Sequence, residues 1–217
     1  MSRCILPLLG LFVILGSITA QNPIPKDKRL HPADFERAAR DLQCDIAAIY
    51  AVSEIESSRG GFLPSGRPVI LFEAHVFSRE TKGKYDATHP EISSPKWNRS
   101  LYKGGEKEHE RLDAAMKLDR DAAWRSASWG RFQIMGFNHK AAGYAKIEDF
   151  IAAMQESEGN HLDAFVSFLK TNRLDAPLRE KRWTAFAEGY NGKGQAKNQY
   201  DQKLEKAFEK HAKLLAK

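Results

Sequence analysis

Cysteine is nearly missing from this chain. Only Cys4 and Cys44 occur in 217 residues, too few for a disulfide-stapled framework, and no Cys/His spacing resembles a zinc site. Long apolar runs are also scarce. The single one, Ile5 to Ala20, falls slightly short of the roughly 20 residues that a spanning helix needs. No Arg-rich block occurs, so the net charge of +6 is spread along the chain. That charge favours an anionic partner (nucleic acid, an anionic membrane or bacterial cell wall) or serves only as a solvated surface. No internal repeat is present, which excludes a repeat architecture. What remains is ordinary globular composition, 42% hydrophobic and 29% charged, in a chain long enough for one domain with a real core.

The first twenty residues stand apart. Met1-Ser2-Arg3-Cys4 is a short basic start, and the uncharged run to Ala20 follows it. This resembles a secretory signal peptide with Ala20 as the cleavage residue, although Ile18 is bulkier than usual there. The Gly and Thr content fits equally well an anchor that is later released from the inner membrane. Lys26, Lys28 and Arg29 outnumber Arg3, which argues against a stable anchor with its N-terminus inside. In both readings the body is exported, to the periplasm or the medium. A retained segment would allow Cys4 to meet Cys44; otherwise Cys44 is a small buried residue.

Residues 21–33 read as a polar, Pro-containing linker and 34–217 as the folded domain. Helical spacing starts at Asp34 with Phe35, Ala38, Ala39 and Leu42, and a second helix from Asp45 places Ile46, Ile49, Val52, Ser53 and Glu56 on one face. Val69–Phe72 is either a short strand or the approach to a helix. Residues 83–106 form a long irregular segment held by Trp97 and Tyr102. A helix is expected over Glu108–Ala127 and a polar, aromatic turn over Ser128–Phe137. Further helices are expected at Glu148–Met154, His161–Lys170, Trp183–Tyr190 and Gln199–Lys217. The fold class is mainly α, with at most a small β element.

Glu56 is the most informative acid. It lies on the apolar stripe of its helix, at the C-terminal end, where burial and the helix dipole both raise a carboxyl pKa. Such a group keeps its proton near neutrality and can protonate a glycosidic oxygen. A salt-bridged helix-end glutamate is the plainer reading. Glu73, among Leu71, Phe72 and Ala74, is a site acid or half of a buried ion pair, and His75 beside it suits a structural role. Ser128, Gly130 and Gln133 bring hydroxyl, backbone and amide groups to one turn, of a kind that positions a sugar. Tyr190, Asn191 and Gly192 add a ring and an amide.

Taken in order, Glu56-Ser57, Ser128-x-Gly130-x-x-Gln133-Ile134 and Tyr190-Asn191-Gly192 resemble the motif series of goose-type lysozymes and lytic transglycosylases. The longer segments are closer still to the N-acetylmuramidase family of phage endolysins. These are Val52–Phe62, Gly66–Phe77, Ser128–His139 and Tyr190–Gly194 with Tyr200-Asp201-x-Lys203-Leu204. The resemblance spans roughly residues 40–210. It implies a lysozyme-like single domain that cleaves the β-1,4 bond between N-acetylmuramic acid and N-acetylglucosamine. Glu56 would be the general acid and Glu73 a second carboxylate. Ser57, Ser128, Gly130, Gln133, Tyr190 and Asn191 would bind the glycan. Peptidoglycan strands are the implied partner of a monomer, with no metal, no cofactor and no nucleic acid. Arg131 and Gln195 depart from the pattern. Arg131 would reach a peptide-stem carboxylate or face solvent, and Gln195 puts one edge of the sugar groove in doubt.

The chemistry after protonation stays open. A carboxylate (Glu73, with Glu188 and Asp86 as outsiders) would activate water, or the sugar's own 6-hydroxyl would attack and leave an anhydro product. A non-catalytic peptidoglycan-binding module is the alternative outside enzymology. The basic C-terminal stretch, with Leu204, Phe208, Leu214 and Leu215 among lysines, is either a membrane-active amphipathic helix or an ordinary helix packed on the body.

Overall fold

The computed structural model describes residues 28–56, 60–192 and 198–217. In chain order its helices are α1 (Pro32–Leu42), α2 (Ile46–Glu56), α3 (Ala74–Glu80), α4 (Glu106–Met116), α5 (Arg120–Arg125), α6 (Ile147–Glu156), α7 (Glu158–Thr171), α8 (Asp175–Arg179), α9 (Trp183–Asn191) and α10 (Tyr200–Leu215). Three short strands, β1 (Ile70–Phe72), β2 (Ala127–Trp129) and β3 (Ile134–Met135), form an antiparallel sheet in the order β1-β2-β3. The mainly helical class with a small β element is therefore the observed one. No helix among the described residues is long and apolar enough to cross a membrane. The segment 1–20, with Cys4, lies outside them, as do Ser57 and Gln195.

The chain divides into two compact units. The first holds α1, α2, the last residues of α7, and α8 to α10. Pro32 opens α1 with a fixed φ, and the Asp34 carboxylate accepts the His31 N–H at 2.8 Å, satisfying one backbone donor at the helix start. Gln43 closes it in the left-handed region (φ 52°). α2 carries more than a stripe: Ala47, Ala48, Ile49, Ala51, Val52, Ser53 and Glu56 are all buried. A helix apolar nearly all round is a core helix. α10 packs along it. Leu204 and Ala207 face inward, while Lys210 and His211 reach Glu54 at 2.8 and 2.7 Å. The tail is thus a packed C-terminal helix of this unit, with Leu214 and Leu215 exposed near its end. Cys44 carries a free thiol, pushed up to about 11 mainly by burial. α8 escaped the sequence reading because five residues show no usable period.

The second unit comprises residues 28–30 and 60–168 of the described chain. Register pairs Leu71 with Ser128 and Trp129 with Ile134. The expected turn over Ser128–Phe137 is in fact a hairpin. Gly130 (φ 68°) and Gln133 (φ 47°) supply the reversal, and Gly130 N–H donates to the Val69 carbonyl at 2.8 Å. The expected helix over Glu108–Ala127 is two helices. Asp119 caps α5 by accepting from Ala122 N–H at 3.0 Å, and a capping Asp starts a helix better than it continues one. The C-terminal part of the expected linker is held down: Lys28 donates to the Gln155 carbonyl at 2.9 Å, and Leu30 N–H to Glu158 at 3.0 Å.

Gly136 follows β3 because nothing larger fits. A Cβ there would stand 2.0 Å from the Trp124 carbonyl oxygen. Gly136→Ala is expected to cost about 1–3 kcal/mol through overpacking, read as a lowered denaturation midpoint with an unchanged m-value.

Candidate active site

In the first unit the candidate acid, Glu56, ends α2 and is 8% exposed. Removal from water raises its pKa to about 7, against a lowering by the hydroxyl of Tyr200, which donates to Oε1. Among the described residues no ion pair forms at Glu56. Tyr190 and Asn191, at the end of α9, are buried in the same unit. Burial, and then the nearby charge of Glu56, hold the Tyr190 phenol well above its usual range. The Asn191 side chain lies beside the Tyr200 hydroxyl. The structure therefore gathers Glu56, Tyr190 and Asn191, and adds Tyr200. Tyr200 lies inside a motif segment that resembles the family, yet as one tyrosine among charged residues it carried no sign of its own.

In the second unit Glu73 follows β1 and its N–H donates to the Ser126 carbonyl at 2.9 Å, beside the paired strands. Its carboxylate accepts from the Tyr102 hydroxyl at 2.5 Å and lies 3.2 Å from His75 Nδ1. Trp97 Nε1 donates in turn to the Tyr102 oxygen at 2.7 Å, which leaves the indole 44% exposed at the end of the chain of bonds. Burial first, and then the bond to Glu73, keep the Tyr102 phenol protonated far above neutrality. His75 thus stands as the partner of Glu73; the roles of Tyr102 and Trp97 were not legible. Of the outsiders, Asp86 is held by Ser78 and Ser93 hydroxyls at 2.9 and 2.5 Å, and Glu188 is exposed on α9.

Ser128, Gly130 and Gln133 do meet in one turn. The Ser128 hydroxyl donates to Gln133 Oε1 at 2.7 Å, and Gln133 Nε2 donates to the Gly130 carbonyl at 2.8 Å. The amide thus holds the positive-φ hairpin closed. Gly130 has a second reason to lack a side chain: a Cβ would meet the His161 ring at 2.7 Å. Burial drives the His161 pKa down to about 4. Its neutral ring accepts the Arg131 N–H at 3.1 Å and faces the Met154 carbonyl at 2.7 Å. Arg131 is neither a free cation nor simply solvent-facing. Its guanidinium pairs with the buried Glu158 at 3.3 Å, and Glu158 also accepts the N–H of Gly61. No cluster of metal-ligand residues occurs among the described residues.

The model of the muramidase family (N-acetylmuramidase) matches residues 45–212. That match gives the class, a glycoside hydrolase. More particularly, the chain belongs to the N-acetylmuramidase family. Among solved structures it is similar to a Burkholderia AP3 phage endolysin, at 43% identity and a TM-score of 0.82, covering 87% of this chain and 74% of that one. No curated protein matches it.

Proposed function

We propose that the protein is an endolysin-type muramidase that cleaves the β-1,4 bond between N-acetylmuramic acid and N-acetylglucosamine, with Glu56 as general acid. One observation carries this reading. Glu56 is a buried carboxyl whose proton is retained up to about pH 7, as a donor to a glycosidic oxygen requires. Family membership and the likeness to a phage endolysin support peptidoglycan as the substrate.

In this reading Glu56 transfers its proton to the leaving oxygen as the glycosidic bond breaks, and positive charge develops on the ring carbon and oxygen. Tyr190 and Asn191 are proposed to hold the sugar beside it. Ser128, Gly130 and Gln133 are proposed to shape the glycan-binding turn. Glu73, kept as an acceptor by Tyr102, is proposed as the carboxylate that takes a proton from the attacking water. Because the substrate lies outside the cytoplasm, residues 1–20 are proposed to direct export.

Purified protein incubated with peptidoglycan is expected to release fragments with reducing N-acetylmuramic acid ends, identified by mass spectrometry. Anhydro ends would replace hydrolysis by intramolecular attack of the 6-hydroxyl and remove the role of Glu73. Binding without release would refute the enzymatic assignment.

A further inference from the structure

Tyr200 is the first residue of α10, directly after Gln199 in the left-handed region (φ 52°). The helix therefore begins abruptly, and its first side chain is aimed by the turn before it. Two contacts fix that start. The Thr184 hydroxyl of α9 donates to the neighbouring Asp201 at 2.9 Å, and α10 lies packed along α2, the helix that ends in Glu56. Tyr200 is half-buried in this position, and its hydroxyl donates to Glu56 Oε1.

The side chain of Asn191 lies beside the same hydroxyl. The Asn191 Oδ1 has no hydrogen-bond partner among the described residues. Burial, then the charge of Glu56, hold the Tyr200 phenol well above its usual range, so it donates throughout the working pH range.

We infer that Tyr200 is a positioning residue for the proposed acid: its hydroxyl occupies Oε1 of Glu56 and leaves Oε2 to carry the proton to the leaving oxygen. This rests on the proposed function above. It also gives α10 a task beyond packing, since the helix delivers the group that sets the orientation and acidity of the carboxyl. Donation to the carboxylate stabilises the charged form that remains after proton transfer. Without it the acid is weaker and less well aimed. Among the described residues, the titratable groups facing Glu56 from the packed elements are Tyr200 on α10 and Tyr190 on α9.

The test uses the full chain, its Tyr200→Phe variant, and a variant with 3-fluorotyrosine placed at position 200. Phenylalanine keeps the ring and removes the bond; the fluorinated phenol is a stronger donor. In Tyr200→Phe, kcat is expected to fall about tenfold with KM within about twofold, the loss of one bond to a group that becomes charged. The alkaline limb of the kcat profile is expected to move to higher pH. The Glu56 carboxyl, followed by carbon-13 NMR without substrate, is expected to titrate higher in Tyr200→Phe and lower in the fluorotyrosine variant. If Tyr200→Phe fails to fold, the fluorotyrosine titration decides. Profiles and titrations that superpose on the parent would overturn the inference. Glu56→Gln is the control that separates the two readings. If it stays active, the acid assignment falls even where the titration reports the bond; if it is inactive and the titrations superpose, only the role of Tyr200 falls.

Discussion

Glu56→Gln is expected to keep the fold and lose about a thousandfold in kcat/KM, within the usual range for removing a general acid. Glutamine preserves the shape of the side chain and a group able to meet the Tyr200 hydroxyl, but it has no transferable proton. The loss should appear in kcat, because the proton is used only in the transition state. The parent should lose activity as pH rises through about 7, where the buried carboxyl gives up its proton. Residual activity in the variant should lack that limb. A variant within tenfold of the parent would sink the assignment of Glu56.

The same substitution is expected to act on stability in the opposite direction. The folded-state pKa of Glu56, about 7, lies above its ordinary value of 4.5 because of burial. Between those values the folded protein binds more protons than the unfolded chain, so stability falls as pH rises through this window. The contribution is fully present below 4.5 and lost above about 7, a change of about 3 kcal/mol. Glu56→Gln removes the titrating group. Relative to the parent it should gain stability from acid to neutral pH, measured by urea denaturation across that range.

How much of this was legible in the sequence depended on whether a signal was local. Glu56 was readable because Ile49, Val52 and Glu56 recur at helical spacing and because its motif partners follow in order. The period could not reveal that α2 is buried almost all round; that follows from what packs on it. The hairpin was hidden because two- and three-residue strands show no alternation, and because Gln133 adopts a positive φ that its residue type does not announce. The partners of the key acids lay beyond reach for another reason. Tyr200 is 144 positions from Glu56 and Tyr102 is 29 from Glu73, and long-range side-chain pairs leave no trace in a period. Arg131 was noticed as a departure, but its partner Glu158 was not.

Glu108 is where that long-range order is most costly to disturb. Its fully buried carboxylate accepts from Phe72 N–H at 3.1 Å, Lys103 N–H at 2.5 Å, Gly104 N–H at 2.9 Å and Arg111 Nη1 at 2.7 Å. Arg111 in turn donates to the Phe72 carbonyl at 2.9 Å. One carboxylate thus ties β1 to the segment next to Tyr102, whose hydroxyl meets Glu73. Glu108→Ala leaves a buried guanidinium and three backbone donors without their acceptor, and is expected to cost about 3–5 kcal/mol. An isolated buried ion pair can often be replaced by apolar residues at little cost. That remedy should fail here, because removing Arg111 does not satisfy the three N–H groups. The double variant Glu108→Leu, Arg111→Met is therefore expected to remain at least about 2 kcal/mol less stable than the parent in urea denaturation. The amides of Lys103 and Gly104 should lose hydrogen-exchange protection in both variants. Recovery of parental stability by the double variant would show that the ion pair, and not the backbone it organises, is what Glu108 supplies.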